Sequence, residues 1–125
     1  MNPSTLTPPI VACPMPFNRL KPDLLAFKSE LEFLSLKGTK SIVVNGTTGE
    51  FAGMTFEDRL NTLKVAHQSF SGYIINNISS CSIADSISLA KSTGNLAHAL
   101  LLLPPFYFKR QKQKIHAIII MVVIS

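Results

Sequence analysis

The most chemically capable residues of this 125-residue chain are gathered in Asn45-Gly46-Thr47-Thr48-Gly49-Glu50. Two adjacent threonines bring two hydroxyls and two backbone N–H groups to one place. The glycines beside them let the backbone turn sharply and approach a ligand with no Cβ in the way. Such a donor cluster suits a small carboxylate, by the logic of other anion-binding nests. Glu50 invites a general-base role, but a carboxylate at the start of a loop more often accepts neighbouring backbone N–H groups. Elsewhere the reactive residue types are scattered. His67, His98 and His116 show no metal-ligand spacing, so structural roles are expected and no metal. Cys13 and Cys81 form no Cys-x-x-Cys pair and read as small buried hydrophobes.

The elements that must position this turn follow a strand, loop, helix rhythm. Short apolar runs begin near residues 10, 41, 73 and 98 and read as strands. Between them lie three segments of helical length. The first helix is expected to start near Pro22, with Leu24, Phe27, Leu31 and Leu34 on its buried face and Gly38 as its stop. Thr55-Phe56-Glu57-Asp58 resembles a capping box and opens a second helix whose apolar face is expected from Leu60, Leu63 and Phe70, with His67 nearby. Ser82-Ile83-Ala84-Asp85 repeats the pattern ahead of Ile83, Ile87 and Ala90. Alternation of this kind predicts a parallel sheet of βαβ units, either part of an eight-fold barrel or a smaller flavodoxin-like sheet. In both, ligands bind beyond the C-terminal ends of the strands, where Asn45–Glu50 falls.

Composition narrows the function classes. Hydrophobic residues make up 46% and charged residues only 15%, which favours a buried core over disorder. The net charge of +5 is concentrated at Lys109, Arg110, Lys112 and Lys114, leaving +1 over residues 1–108. No aromatics interleave with that basic run, so nucleic-acid binding is not expected. The terminal apolar run at 117–124 is too short to cross a bilayer as a helix, so no membrane partner is expected. It is also uncharged, free of proline and β-prone, an aggregation hazard if left uncovered. Scattered thiols and the lack of a leader-like N-terminus suggest a reducing, cytoplasmic setting.

Three marks carry a resemblance to the dihydrodipicolinate synthase and N-acetylneuraminate lyase family. Pro14-Met15-Pro16-Phe17 sits where that family has a Thr-Pro-Phe-like turn. Gly46-Thr47-Thr48-Gly49-Glu50 matches its Gly-Thr-Thr-Gly-Glu, and Pro104-Pro105-Phe106-Tyr107-Phe108 is similar to its Pro-Tyr-Tyr-like segment. The resemblance implies an α/β fold: the N-terminal half of a (β/α)8 barrel, with about four parallel strands and three helices over residues 1–109. Residues 110–125 then form a divergent tail. It further implies a Schiff-base lyase, aldolase or synthase acting on pyruvate or another 2-oxo acid without a cofactor. Thr47 and Thr48, with Gly46, would hold the acid's carboxylate. Thr47 and Tyr107 would be catalytic members of a proton relay.

The family's Schiff-base lysine belongs to a sixth strand, and no lysine here occupies a matching position. The chain is therefore expected to be truncated and inactive alone. The alternative is a non-catalytic half-barrel that binds a small carboxylate or a partner chain. Open sheet edges predict homo-oligomerisation or aggregation.

Overall fold

The computed structural model describes residues 5–103 and a strand at 120–123. Four strands, β1 (Ile10–Ala12), β2 (Ser41–Val44), β3 (Tyr73–Asn77) and β4 (Ala99–Leu102), lie side by side in chain order and all run parallel. Helices α1 (Leu24–Leu36), α2 (Phe56–Ser69) and α3 (Ile83–Thr93) make the crossovers. This is the expected alternation of four parallel strands with three helices. One strand was not foreseen. β5 (Ile120–Val123) pairs antiparallel with β4, Leu100 opposite Val122, and closes that edge of the sheet. A two-residue hairpin, Phe17–Asn18 with Lys21–Pro22, is inserted between β1 and α1.

Alternation along the strands sends side chains to two faces. On the helix side, Ile42, Val44 and Ile74 pack with Phe27, Leu31, Leu63, Ala66 and Phe70 into the main core. On the other face Tyr73, Ile75 and Ala99 form a smaller cluster with Leu6, Val43 and Leu101. The register is set by these partners and by a tight corner at Gly72. There a Cβ would collide with the Lys40 carbonyl and the Phe70 ring, while the N–H of Tyr73 donates to that same carbonyl at 2.8 Å.

Local signals place the helix ends. Asp23 caps α1, accepting the N–H of Ala26 at 3.0 Å, so Pro22 belongs to the hairpin and not to the first helical turn. Gly38, at φ +83°, ends α1 in the left-handed conformation that glycine adopts without strain. The capping box on α2 is complete: Thr55 Oγ1 accepts the N–H of Asp58 at 3.1 Å, and Asp58 Oδ2 accepts that of Thr55 at 3.3 Å.

Two helix faces differ from expectation. The buried side of α2 is Arg59, Thr62, Leu63 and Ala66, with Leu60 only half-buried and His67 exposed. On α3 the sheet takes Ser86, Leu89 and Thr93, leaving Ile83 69% and Ile87 51% exposed. Polar partners inside the protein rotate both helices: Thr93 Oγ1 accepts from Asn76 Nδ2 at 2.9 Å, and Arg59 reaches the loop after β3.

A histidine joins β3 to β4. His98 Nδ1 accepts the backbone N–H of Ile74 at 3.1 Å, and its ring stacks on Tyr73 at 4.9 Å between centroids. Burial, and then the nearby His67, hold its pKa below the ordinary imidazole value. The unfolded chain takes up this proton near pH 6.5 while the folded chain resists it. Stability is therefore full above about pH 6.5 and falls as the pH drops through that value towards the folded pKa. The thermal midpoint should decline between pH 7.5 and 5.5, and His98→Gln should flatten the decline in a pH series followed by circular dichroism.

Candidate functional site

The loop after β2 is bracketed by two left-handed residues that are not glycine, Asn45 at φ +60° and Glu50 at φ +58°. Asparagine tolerates this region and glutamate less so; such residues persist only where the surroundings enforce them. The enforcement is visible. The N–H of Glu50 donates to the Thr47 carbonyl at 3.0 Å and that of Phe51 to the Gly46 carbonyl at 3.3 Å, which curls Gly46–Phe51 into a compact turn. Gly49 lies against the end of β1: a Cβ there would sit 3.0 Å from the Cys13 carbonyl. The second glycine of the motif is thus required by close approach, as its type suggested.

Thr47 and Thr48 are exposed at the crest of this turn, while Gly46 and Gly49 are buried beneath it. The crest stands at the C-terminal edge of the parallel sheet. Tyr107 and the whole Pro104–Phe108 segment lie outside the described residues. Glu50 is exposed, and its side chain does not cap the short turn that follows. Cys13 is buried, its thiol pushed up to about 12 by burial and then by Glu30, which makes it inert as a nucleophile at neutral pH.

Beneath the crest is a polar network that the apolar pattern of the strands gave no reason to expect. Asn45 Nδ2 donates to Asn76 Oδ1 and to the Arg59 carbonyl, both at 2.9 Å. Asn77 Nδ2 donates to the Asn45 carbonyl at 2.8 Å, and its Oδ1 accepts from Ser79 Oγ at 2.6 Å. Ser79 Oγ in turn accepts the N–H of Leu103 at 2.7 Å. The ends of β2, β3 and β4 are therefore cross-linked by side chains.

Arg59 is the centre of this network. Its guanidinium donates to the Ser79 carbonyl at 2.7 Å and the Asn77 carbonyl at 2.6 Å, and its carbon lies 5.1 Å from the centre of the Phe51 ring. The side chain is only 5% exposed, and the one ion pair among the described residues is Lys21 with Asp58. Desolvation lowers its pKa to about 10, still well above neutrality, so the guanidinium stays charged. Carbonyl dipoles and an aromatic face, not a carboxylate, compensate that charge. Two polar atoms of the network, Arg59 Nε and Asn45 Oδ1, have no hydrogen-bond partner among the described residues. Sequence reasoning missed Arg59, Asn76, Asn77 and Ser79. The available signal was the break from apolar to Asn-Asn at the end of the third strand.

No described lysine is buried: Lys21, Lys28, Lys37, Lys40, Lys64 and Lys91 are all exposed. The described residues hold no group of three or more His, Cys, Asp or Glu side chains able to bind a metal ion. None of their helices is long and apolar enough to cross a membrane.

A parallel sheet in chain order, with its helices in crossover and its candidate turn at the strands' C-terminal ends, has the form of a β/α-barrel section. Comparison with solved structures agrees. Dihydrodipicolinate synthase from Aquifex aeolicus superimposes with a TM-score of 0.75 at 28% identity, over 82% of this chain and 36% of that one. N-acetylneuraminate lyase from Mycoplasma synoviae does so with a TM-score of 0.75 at 27% identity, over 82% and 38%. The model of the dihydrodipicolinate synthetase family matches residues 7–122, and the chain belongs to that family. It is 31% identical over 110 residues to the 4-hydroxy-tetrahydrodipicolinate synthase of Trichlorobacter lovleyi, covering 86% of this chain and 38% of the relative. It is 33% identical over 95 residues to the 2-dehydro-3-deoxy-phosphogluconate/2-dehydro-3-deoxy-6-phosphogalactonate aldolase of Sulfurisphaera tokodaii, covering 75% and 32%. The chain thus spans about a third of the length of these relatives.

Replacing Arg59 by Met removes the donors to two buried carbonyls. It should cost about 2–4 kcal/mol of stability in urea unfolding. Hydrogen exchange should show the added loss of protection concentrated in the loops after β2 and β3.

Proposed function

We propose that this chain forms the acid-holding portion of a Schiff-base, pyruvate-dependent lyase or synthase. Thr47 and Thr48 grip the carboxylate of a 2-oxo acid through hydroxyl and backbone N–H groups, and Gly46 leaves the backbone open to it. The observation that carries this reading is the turn itself: left-handed at both ends, buttressed on β1 through Gly49, and presenting two threonines at the ligand-binding edge. Family membership supports it. Preorganised donors of this kind hold an anion without reorganising at the moment of binding. In the proposed relay Thr47 exchanges a proton with Tyr107.

Schiff-base chemistry needs an amine whose pKa is depressed in a dry pocket. Every described lysine is solvated, and no lysine of the chain matches the family's Schiff-base position; on this reading the covalent step draws its amine from elsewhere, and the chain alone binds the acid without turning it over. Binding without covalent chemistry is also the alternative reading, in which a half-barrel captures a small carboxylate or a partner chain. We further propose that residues 1–109 act as the barrel-type domain and 110–125 as an appended segment. The reversed direction of β5 against four parallel strands supports that division. A reducing, cytoplasmic setting is supported by two unbridged cysteines.

Titration with labelled pyruvate, followed by amide chemical shifts, should perturb residues 46–50. Thr47→Val and Thr48→Val should each weaken binding by about tenfold, one charge-assisted hydrogen bond's worth. Unperturbed shifts at 46–50 would sink the proposal. Pyruvate with borohydride should leave the intact mass of the chain unchanged; a trapped adduct on a lysine would show that it carries its own amine.

A further inference from the structure

The register of β2 with β3 runs as far as Val44 opposite Asn76, and that of β3 with β4 as far as Asn77 opposite Leu101. Beyond those pairs, side chains carry the connection. Asn76 and Asn77 are adjacent in β3 and so point to opposite faces of the sheet. Asn76 takes the side chain of Asn45, accepting from its Nδ2 at 2.9 Å, while Asn77 takes its carbonyl, donating at 2.8 Å. The residue that opens the acid-holding turn is thus gripped at two points.

The second grip continues across the sheet. Asn77 Oδ1 accepts the Ser79 hydroxyl at 2.6 Å and the Ser79 N–H at 3.3 Å, and Ser79 Oγ accepts the N–H of Leu103 at 2.7 Å. The direction of this series is fixed. A hydroxyl has one proton, and the Leu103 N–H faces its oxygen, so that proton goes to Asn77. Asn77 Oδ1 is then held as the acceptor, which turns Nδ2 towards the Asn45 carbonyl. From Leu103 to Asn45 the groups form one directed chain, in which each bond polarises the next. Asn77 and Ser79 are fully buried, so water does not compete for these bonds. Arg59 braces the same loops by a different route, through the backbone carbonyls of Asn77 and Ser79.

The two ends of the chain differ in what they lead to. Asn45 precedes Gly46, Thr47 and Thr48, whereas Leu103 lies four residues ahead of Tyr107 in sequence. We infer that Asn77 and Ser79 are positioning residues, whose hydrogen-bond chain ties the acid-holding turn to the end of β4 and so sets its grip on the acid. Neither side chain is exposed, so both act through the turn and not on the acid itself. The functional meaning of this coupling rests on the acid-binding reading; the coupling itself rests on the hydrogen bonds alone.

Amide exchange of the full chain, followed by NMR at neutral pH without ligand, tests the coupling. The Glu50 and Phe51 amides close the turn, and Ser79 touches neither of them. Ser79→Ala should nevertheless speed their exchange by about fivefold, one neutral hydrogen bond's worth, together with that of Leu103. The Phe27 and Lys37 amides of α1 report general loosening and should change by less than about twofold. Ser79→Thr keeps the hydroxyl and should stay within about twofold of wild type at the turn. Asn77→Leu should loosen the turn as Ser79→Ala does, and adding Ser79→Ala to it should cost the turn nothing more. If Asn77→Leu fails to fold, the contrast between Ser79→Ala and Ser79→Thr decides. Turn amides unmoved by Ser79→Ala, moved as much by Ser79→Thr, or moved no more than those of α1 would overturn the inference. Pyruvate titration then reads the functional consequence. Ser79→Ala should raise the Kd by about fivefold while the same 46–50 amides shift. Equal affinity in the variant and the wild type would also overturn the inference. A wild type whose 46–50 shifts ignore pyruvate would sink the acid-binding reading instead, and the coupling would stand or fall on exchange.

Discussion

The constraint on which the functional edge of this protein depends is a buried positive charge with no carboxylate partner among the described residues. Arg59 is taken out of water by α2 and must be compensated where it lands. The carbonyls of Asn77, at the end of β3, and Ser79, in the loop beyond it, and the ring of Phe51, in the loop after β2, provide that compensation at the C-terminal side of the sheet. Those loops are held in place because displacing either leaves a charge or a carbonyl unsatisfied. The same requirement explains Asn45. Its left-handed backbone is tolerable because its side-chain nitrogen and its carbonyl are both engaged, and that conformation starts the turn which lifts Thr47 and Thr48.

Much of the architecture was legible along the chain because it is written in short-range signals. The capping box of Thr55 and Asp58 spans four residues and needs no knowledge of the rest. Gly38 ends a helix for a reason internal to its own backbone. The four parallel strands were visible as apolar runs punctuated by prolines, glycines and polar loops. The site turn was visible because its glycines and threonines are adjacent.

What could not be read has a common cause. A charged residue in a helix is by default solvated, and the carbonyls that bury Arg59 lie 18 and 20 residues away. Ile83 and Ile87 have the spacing of a buried stripe, yet the long-range bond between Asn76 and Thr93 turns a different face of α3 to the sheet. The resemblance to known family motifs singled out the Gly46–Glu50 turn without indicating the network beneath it. That support is polar, distributed and long-range, so no single segment displays it. The antiparallel strand at 120–123 was likewise seen only as a composition, since pairing direction is decided by what edge is available.

That strand has a structural price beyond its own pairing. In a sheet that continues in parallel, the outer backbone groups of β4 would be the template for the next strand of the barrel. Here Ile120–Val123 already occupies them, running in the opposite sense. Growth of the barrel from this side and retention of the reversed strand are mutually exclusive states of one set of hydrogen-bonding groups. Any polypeptide that paired directly with β4 on this side would first have to peel the reversed strand away.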